Sequence, residues 1–217
     1  MTPAAARVGP RRWPGAVRAG GASHGWNPAP AGLLSPVATL GATMDRATQI
    51  VLTDIAVGVA AGLVATAVTD LAQGPLNRLT PERVKRRERR VRPGDTSARV
   101  AARKAADGLD LSLDERGTKL LGKAIHFGIG MAWGPVYGLL RRHAGLRPVG
   151  AGLATGAAMS FVLDEGVVPA LGLSAPNRAY PLLTHVRGFV AHLVFGAAAA
   201  LTAEAIYRGT GTAPRPA

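Results

Sequence analysis

The ionisable residues of this chain fall at matching positions in two pairs of glycine-rich segments. Small residues at four-residue spacing lead to Asp70 in one segment and to Asp164 in another. His126 and His192 lie in a second pair of segments with the same spacing. A carboxylate next to a histidine stabilises the charged form of each partner. These residue types suit a structural ion pair, a proton relay or a metal site, and their chain order indicates a duplicated helical hairpin.

We expect these groups to form one polar layer near one end of the helices. Asp70 comes at the end of one predicted helix and His126 near the start of the next, so an antiparallel hairpin brings them together. If the hairpins are parallel repeats, the second pair lies at the same depth. The predicted layer comprises Asp70, His126, Asp164, Glu165, His185 and His192.

Three interpretations of the polar layer remain open, and a structural clamp that fixes the hairpins is favoured. A relay for protons or small ions is the alternative, because charged groups inside a bilayer pair with each other or mark a pathway. A metal site has acceptable ligand types, but no local motif such as His-xxx-His supports it. No serine with a neighbouring base is visible, so the sequence predicts a non-enzymatic protein without metal or cofactor.

The elements that must position these groups are four apolar blocks of membrane-spanning length. Roughly 20 apolar residues cross a bilayer core as a helix, and residues 55–69 and 127–140 contain no Asp, Glu, Lys or Arg. A soluble helix should show a charged outer face, so a soluble helical bundle is the less favoured alternative. The sequence predicts an all-α fold, a four-helix transmembrane bundle of two duplicated hairpins, with helices at about 50–72, 113–141, 149–167 and 185–207.

Small residues four apart lie along one stripe of a helix and allow close approach of neighbouring backbones. If the hairpins are duplicated, superposing them should place Asp70 on Asp164, His126 on His192 and Gly130 on Gly196. The predicted packing positions are Gly58, Gly62, Gly130, Gly134, Gly138, Gly152, Gly156 and Gly196.

A basic loop is predicted at 76–112, with a short surface helix at about 96–106 and a capping box from Ser112 to Glu115. The run has no interleaved aromatic residues, which disfavours nucleic-acid binding. Contact with anionic lipid headgroups is favoured, and a scaffold that recruits a partner through this loop is the alternative. The predicted lipid-binding residues are Lys85, Arg86, Arg87, Arg89, Arg90 and Arg92.

The two ends of the chain differ in composition from the predicted membrane domain, residues 44–209. Residues 1–43 are rich in Pro, Gly, Ala and Arg without periodicity, which predicts disorder. Met44, directly before the first apolar block, is a candidate start of the translated product. Residues 210–217 are predicted to be a second disordered tail, and the absence of cysteine excludes disulfides and thiolate metal sites.

The chain from residue 126 onward resembles the YagU-like family of bacterial inner-membrane proteins, which is defined by a domain of unknown function. The resemblance implies a small multi-pass protein of the inner membrane, in contact with the lipid bilayer, and brings no known activity. A homo-oligomer is compatible with it. The residues that carry the resemblance are His126-Phe127-Gly128 with Gly134 and Tyr137-Gly138, Asp164-Glu165 with Val168 to Ser174, Tyr180-Pro181 with His185, and His192-Leu193-Val194 with Gly196.

Overall fold

The computed structural model describes residues 45–92 and 95–214, and all regular structure in these ranges is helical. The all-α prediction is therefore confirmed. The predicted tail at 1–43, the candidate start at Met44 and residues 215–217 lie outside the described residues. The six main helices of the described ranges are α1 (Arg46–Arg78), α2 (Glu82–Val91), α3 (Ser97–Gly108), α4 (Glu115–His143), α5 (Pro148–Ala170) and α6 (Leu182–Thr210).

Three of these helices, α1, α5 and α6, are long and apolar enough to cross a membrane. Their outward surfaces carry large apolar side chains, such as Leu52, Phe161 and Leu201, the last of which is 73% exposed. Apolar surface on this scale marks a membrane or protein contact in a folded protein. The chain thus has the helices of a membrane protein.

Helix α4, which is not one of these three helices, also has an uncharged centre. Between Lys123 and Arg141 it contains no Asp, Glu, Lys or Arg. This uncharged stretch of 17 residues is slightly longer than those between Asp54 and Asp70 of α1 and between Arg187 and Glu204 of α6. Helix α4 packs along α1, α1 also packs along α6, and α5 packs along α6.

The core between the long helices is built mainly from small side chains and a few aromatic rings. One cluster surrounds Tyr137 and Tyr207, which are both fully buried. The other surrounds Met159 and Phe195, with Ala65, Ala198 and Ala199 between them. Alanine and glycine let the helix axes approach closely. The aromatic rings fill the wider spaces between the helices.

The predicted basic loop at 76–112 is wrong at its start and over 82–91, which are helical, whereas the short surface helix predicted at about 96–106 is present as α3. Helix α1 continues through Pro75 to Arg78, and α2 and α3 follow it. Arginine, glutamate, lysine and alanine all have high helix propensity, which outweighed the charge pattern used for the loop prediction. The predicted count of four helices was therefore too low for the described residues. We call α2 and α3 together the cap.

Helix α4 begins at Glu115, two residues later than the predicted capping box at Ser112 would place its start. The Asp114 carboxylate, rather than the Ser112 hydroxyl, accepts the hydrogen bond at the helix start, from the Gly117 N–H at 2.6 Å. Glu115 instead forms ion pairs with Arg99 of the cap and with Lys119. A capping carboxylate adds a favourable interaction with the helix dipole, which explains the preference for Asp114.

Candidate functional site

In the first helix pair, α1 and α4 touch through their backbones at glycine positions. A Cβ atom added to Gly134 would overlap the carbonyl oxygen of Gly58, and one added to Gly62 would overlap that of Gly130. A Cβ on Gly58 would lie 2.5 Å from the Cα of Pro135. No side chain other than hydrogen fits at these four crossing positions.

In the second helix pair, α5 and α6 make the same kind of contact. A Cβ added to Gly196 would overlap the carbonyl oxygen of Gly152, and one added to Gly156 would overlap that of His192. Gly138 has a different role, since a Cβ there would lie 3.1 Å from the Tyr207 hydroxyl. All eight predicted packing glycines are buried.

The register of the second pair differs from the predicted superposition by one helical turn. Because Gly58 meets Gly134 as Gly152 meets Gly196, Gly134 and not Gly130 is the counterpart of Gly196. At the same spacing, His192 of α6 occupies the position equivalent to Gly130 of α4. Gly188 of α6 then occupies the position equivalent to His126 of α4. The four-residue repeat is too regular in these glycine-rich helices to fix the register from sequence.

The predicted polar layer is present as three separate carboxylate–histidine pairs. The Asp70 Oδ1 atom lies 2.9 Å from His126 Nε2, between α1 and α4. Between α5 and α6, Asp164 Oδ2 lies 3.3 Å from His192 Nδ1. The third pair, Glu165 with His185, also joins α5 to α6. Each pair connects two helices that also share a glycine contact.

Glu165 and His185 form the shortest of the three pairs, with Oε1 and Nδ1 2.6 Å apart. The other ring nitrogen of His185 lies 3.1 Å from the Asn177 carbonyl oxygen. The Asn177 side-chain amide in turn donates to the Glu165 carbonyl oxygen at 2.9 Å. This network ties the loop before α6 to the end of α5.

The polar layer is less buried than the sequence suggested. The side chains of Asp70 and His126 are 41% and 46% exposed, while the other two pairs are partly buried. The close contact of α1 with α4 ends at the buried Thr66, one turn before Asp70. An ion pair at this exposure contributes no more than about 1 kcal/mol. The prediction of a buried layer is therefore wrong for its first pair.

A π-helical segment, Ser160–Val167, carries both carboxylates of the second hairpin. A π-turn contains an extra residue, so it changes which side chains point toward a neighbouring helix. Here adjacent carboxylates reach different histidines, Asp164 to His192 and Glu165 to His185. π-Turns occur frequently at functional sites, and nothing in the local sequence distinguishes this one from an α-helix.

The polar layer opens onto a cavity of about 990 Å³ that is lined by all six helices. Of the polar-layer residues, His126, Asp164 and His192 line it. Within the described residues, no group of three or more His, Asp or Glu side chains is arranged to hold a metal ion. Residues of the cap, among them Lys85, Glu88 and Ser97, line one side of the cavity.

The cap places the predicted lipid-binding residues on two different surfaces. Lys85, Arg89 and Arg92 line the cavity, where Lys85 pairs with Glu82 and Arg92 with Glu88. Arg89 lies at the cavity mouth with its side chain 63% exposed. Arg86, Arg87 and Arg90 are also exposed, but they do not line the cavity and make no ion pair within the described residues. The sequence had grouped all six as one lipid-facing set, since charge alone does not show which face of a helix meets the bundle.

The cap is fastened by ion pairs of its own. Glu88, which is buried, lies 2.6 Å from Arg187 of α6 and 2.7 Å from Arg92. At the start of α3, Asp95 pairs with Arg99 at 3.0 Å and also with Arg103. Burial opposes ionisation of Asp95, but the Thr96 N–H and the two guanidinium groups outweigh it, so the pKa of Asp95 lies below its usual value.

No family model matches this chain, and neither the curated proteins nor the solved structures contain a match to it.

A second polar layer, which the sequence analysis did not predict, lies at the opposite ends of the long helices. Arg142 of α4 pairs with Asp54 of α1, which also accepts a hydrogen bond from the Tyr207 hydroxyl at 2.9 Å. Arg141 pairs with Glu204 of α6 at 2.7 Å, and Glu204 accepts from the Tyr137 hydroxyl at 2.8 Å. Two features of the sequence could have predicted this second layer. Asp54 and Glu204 are isolated acids within apolar blocks, and Arg141-Arg142 follow the end of another block.

Proposed function

We propose that this chain is a multi-pass integral membrane protein in which α1, α4, α5 and α6 all cross the bilayer as two related hairpins. The observation that carries the proposal is the pair of glycine crossings, because backbone contact through small residues is typical of helices that associate in lipid. In this proposal the carboxylate–histidine pairs fasten each hairpin beside its crossing, and the protein has no enzymatic activity.

The proposed location is the plasma (inner) membrane, in agreement with the resemblance to YagU-like proteins that the sequence carries between His126 and Gly196. The exposed arginines of α2 would face anionic headgroups, where each cation contributes about 1 kcal/mol. A partner recruited by the cap and a homo-oligomer are compatible with this arrangement.

The proposal predicts stable residence in the membrane fraction. We expect the protein to sediment with membranes and to stay there after washing with high salt and with carbonate at high pH. Such washes release proteins held by charge, whereas spanning helices are held by apolar burial. Recovery of the protein in the supernatant without detergent would refute the proposal.

A proton-responsive function is the second candidate, because the Asp164–His192 pair and His126 line one cavity. In reconstituted liposomes we expect wild-type protein to leave a proton gradient intact between about pH 5 and pH 8, the range in which histidine titrates. His192→Gln should lower the thermal stability in detergent by about 1 kcal/mol, as expected for a partly exposed pair.

The matched variant in this experiment is Asp164→Asn, which keeps the shape of the side chain and removes its charge. If wild-type protein dissipates the gradient and Asp164→Asn does not, the relay function replaces the clamp. If neither variant conducts protons and His192→Gln melts like wild type, the pair does not act as a clamp.

A further inference from the structure

The cavity beside the polar layer has an apolar end and a cationic end. Its deep end is lined by Ile129, Met159 and Phe195, which lie toward the centres of α4, α5 and α6. Its other end is lined by cationic residues of α1, the cap and α6. These cations are Arg78, Lys85, Arg89, Arg92 and Arg187.

The charges at the cationic end are not balanced. Only two carboxylates, those of Glu88 and Asp164, line the cavity. Glu88 is already paired with Arg92 and Arg187, and Asp164 with His192. Arg78 makes no ion pair within the described part of the chain, and Arg89 makes only a long one of 3.7 Å to the exposed Glu82. Excess positive charge at a cavity mouth attracts an anion.

The dimensions of the cavity suit an elongated ligand rather than a small ion. Its volume of about 990 Å³ is at the upper end of the range of roughly 300–1,000 Å³ found for ligand pockets. On α1 its lining extends from Thr66 to Arg78, which corresponds to about 18 Å at 1.5 Å per residue. A free anion would occupy only the mouth and leave the apolar end unfilled.

We propose that this cavity binds one anionic lipid. The phosphate group lies at the mouth between Arg78 and Arg89, and one acyl chain extends along Ile129 toward Met159 and Phe195. Arginine recognises phosphate oxygens through its planar donor groups, and apolar side chains bury the chain. This site is distinct from the exposed arginines of α2, and it depends on neither the clamp nor the relay.

The test compares lipid retention by native mass spectrometry on the purified full chain. The protein is equilibrated with equimolar dioleoyl phosphatidylglycerol and dioleoyl phosphatidylcholine in non-ionic detergent. We expect one phosphatidylglycerol to be retained in preference to phosphatidylcholine. The double variant Arg78→Gln/Arg89→Gln should weaken this retention about tenfold or more, because two cations near the phosphate are lost.

The matched control is Arg86→Gln/Arg90→Gln, which removes the same charge from the exposed side of α2. It should change retention by less than about twofold, because its arginines do not line the cavity. Equal losses in the two double variants would overturn the proposal, since they would show that lipid is held by surface charge. Absence of a preference in wild type would overturn it as well.

The acyl-chain part of the proposal is tested separately, so that a failure of one arginine variant to fold does not decide the result. Ile129→Trp, which narrows the apolar end, should weaken retention of dioleoyl phosphatidylglycerol several-fold. Leu201→Trp, on the exposed surface of α6, is the control and should have no effect. Displacement of the bound lipid by equal concentrations of inorganic phosphate or dihexanoyl phosphatidylglycerol would show a site for the anion alone and would overturn the proposal.

Discussion

Gly134→Ala is expected to separate α1 from α4 and to lower the free energy of unfolding in detergent by about 3 kcal/mol or more. The added methyl group would overlap the carbonyl oxygen of Gly58. Because that oxygen belongs to the backbone, the overlap is relieved only by moving one helix, which disturbs the rest of the contact. Overpacking in a close-packed interior costs 1–3 kcal/mol even where side chains adjust. Thermal melting followed by circular dichroism measures the effect.

The matched control is Gly128→Ala in the same helix. Apart from the adjacent residues and the backbone of α4 itself, no atom lies within 4 Å of the position its Cβ would take. Alanine has a helix propensity about 1 kcal/mol better than glycine, so this variant should melt at or above the wild-type temperature. If both variants melt alike, the glycine crossing between α1 and α4 does not hold the hairpin.

Composition and spacing predicted much of the fold. The uncharged stretch before Asp70 and the glycine stripes identified the long helices, because apolar length and small-residue spacing are local properties of a sequence. The same information failed for α2, although the surface helix predicted at about 96–106 is present as α3. In α2 the charge run was interpreted as a loop, although arginine and glutamate are good helix formers. Which side of α2 faces the cavity could not be predicted either, because it depends on contacts made far along the chain, such as Glu88 with Arg187.

The pairings of Asp70 with His126 and of Asp164 with His192 could be predicted, whereas the register and the π-helical segment of the second hairpin could not. The π-segment Ser160–Val167 carries Asp164 and Glu165, and its extra residue per turn has no sequence signature. The one-turn shift of His192 has a similar origin, because every fourth residue of these helices is small and several registers satisfy the same pattern.

The two polar layers have a spacing that fits the proposed membrane position. On α1, the stretch from Asp54 to Asp70 corresponds to about 24 Å at 1.5 Å per residue. A bilayer hydrocarbon core is about 30 Å thick. Each layer would therefore lie within a few ångströms of one interface, where charged groups reach water or headgroups more easily than at the centre.

The layer that contains Glu204 should contribute more stability than the carboxylate–histidine layer. Arg141 and Glu204 are only 9% and 12% exposed, and the Tyr137 hydroxyl also donates to this carboxylate. Removing one partner of a buried pair leaves the other charge unpaired, which costs about 3–5 kcal/mol. Glu204→Ala should therefore lower the free energy of unfolding in detergent by this amount, measured by thermal melting.

Glu115→Ala is the control for this prediction, because Glu115 also pairs with an arginine but is 64% exposed. Its loss should cost less than about 1 kcal/mol. The double variant Arg141→Met/Glu204→Ala should recover part of the stability lost in Glu204→Ala, since no unpaired charge remains and methionine replaces part of the packing. If the double variant is less stable than the single one by the full cost of a second independent substitution, Arg141 and Glu204 do not interact, and the second polar layer does not act as a unit.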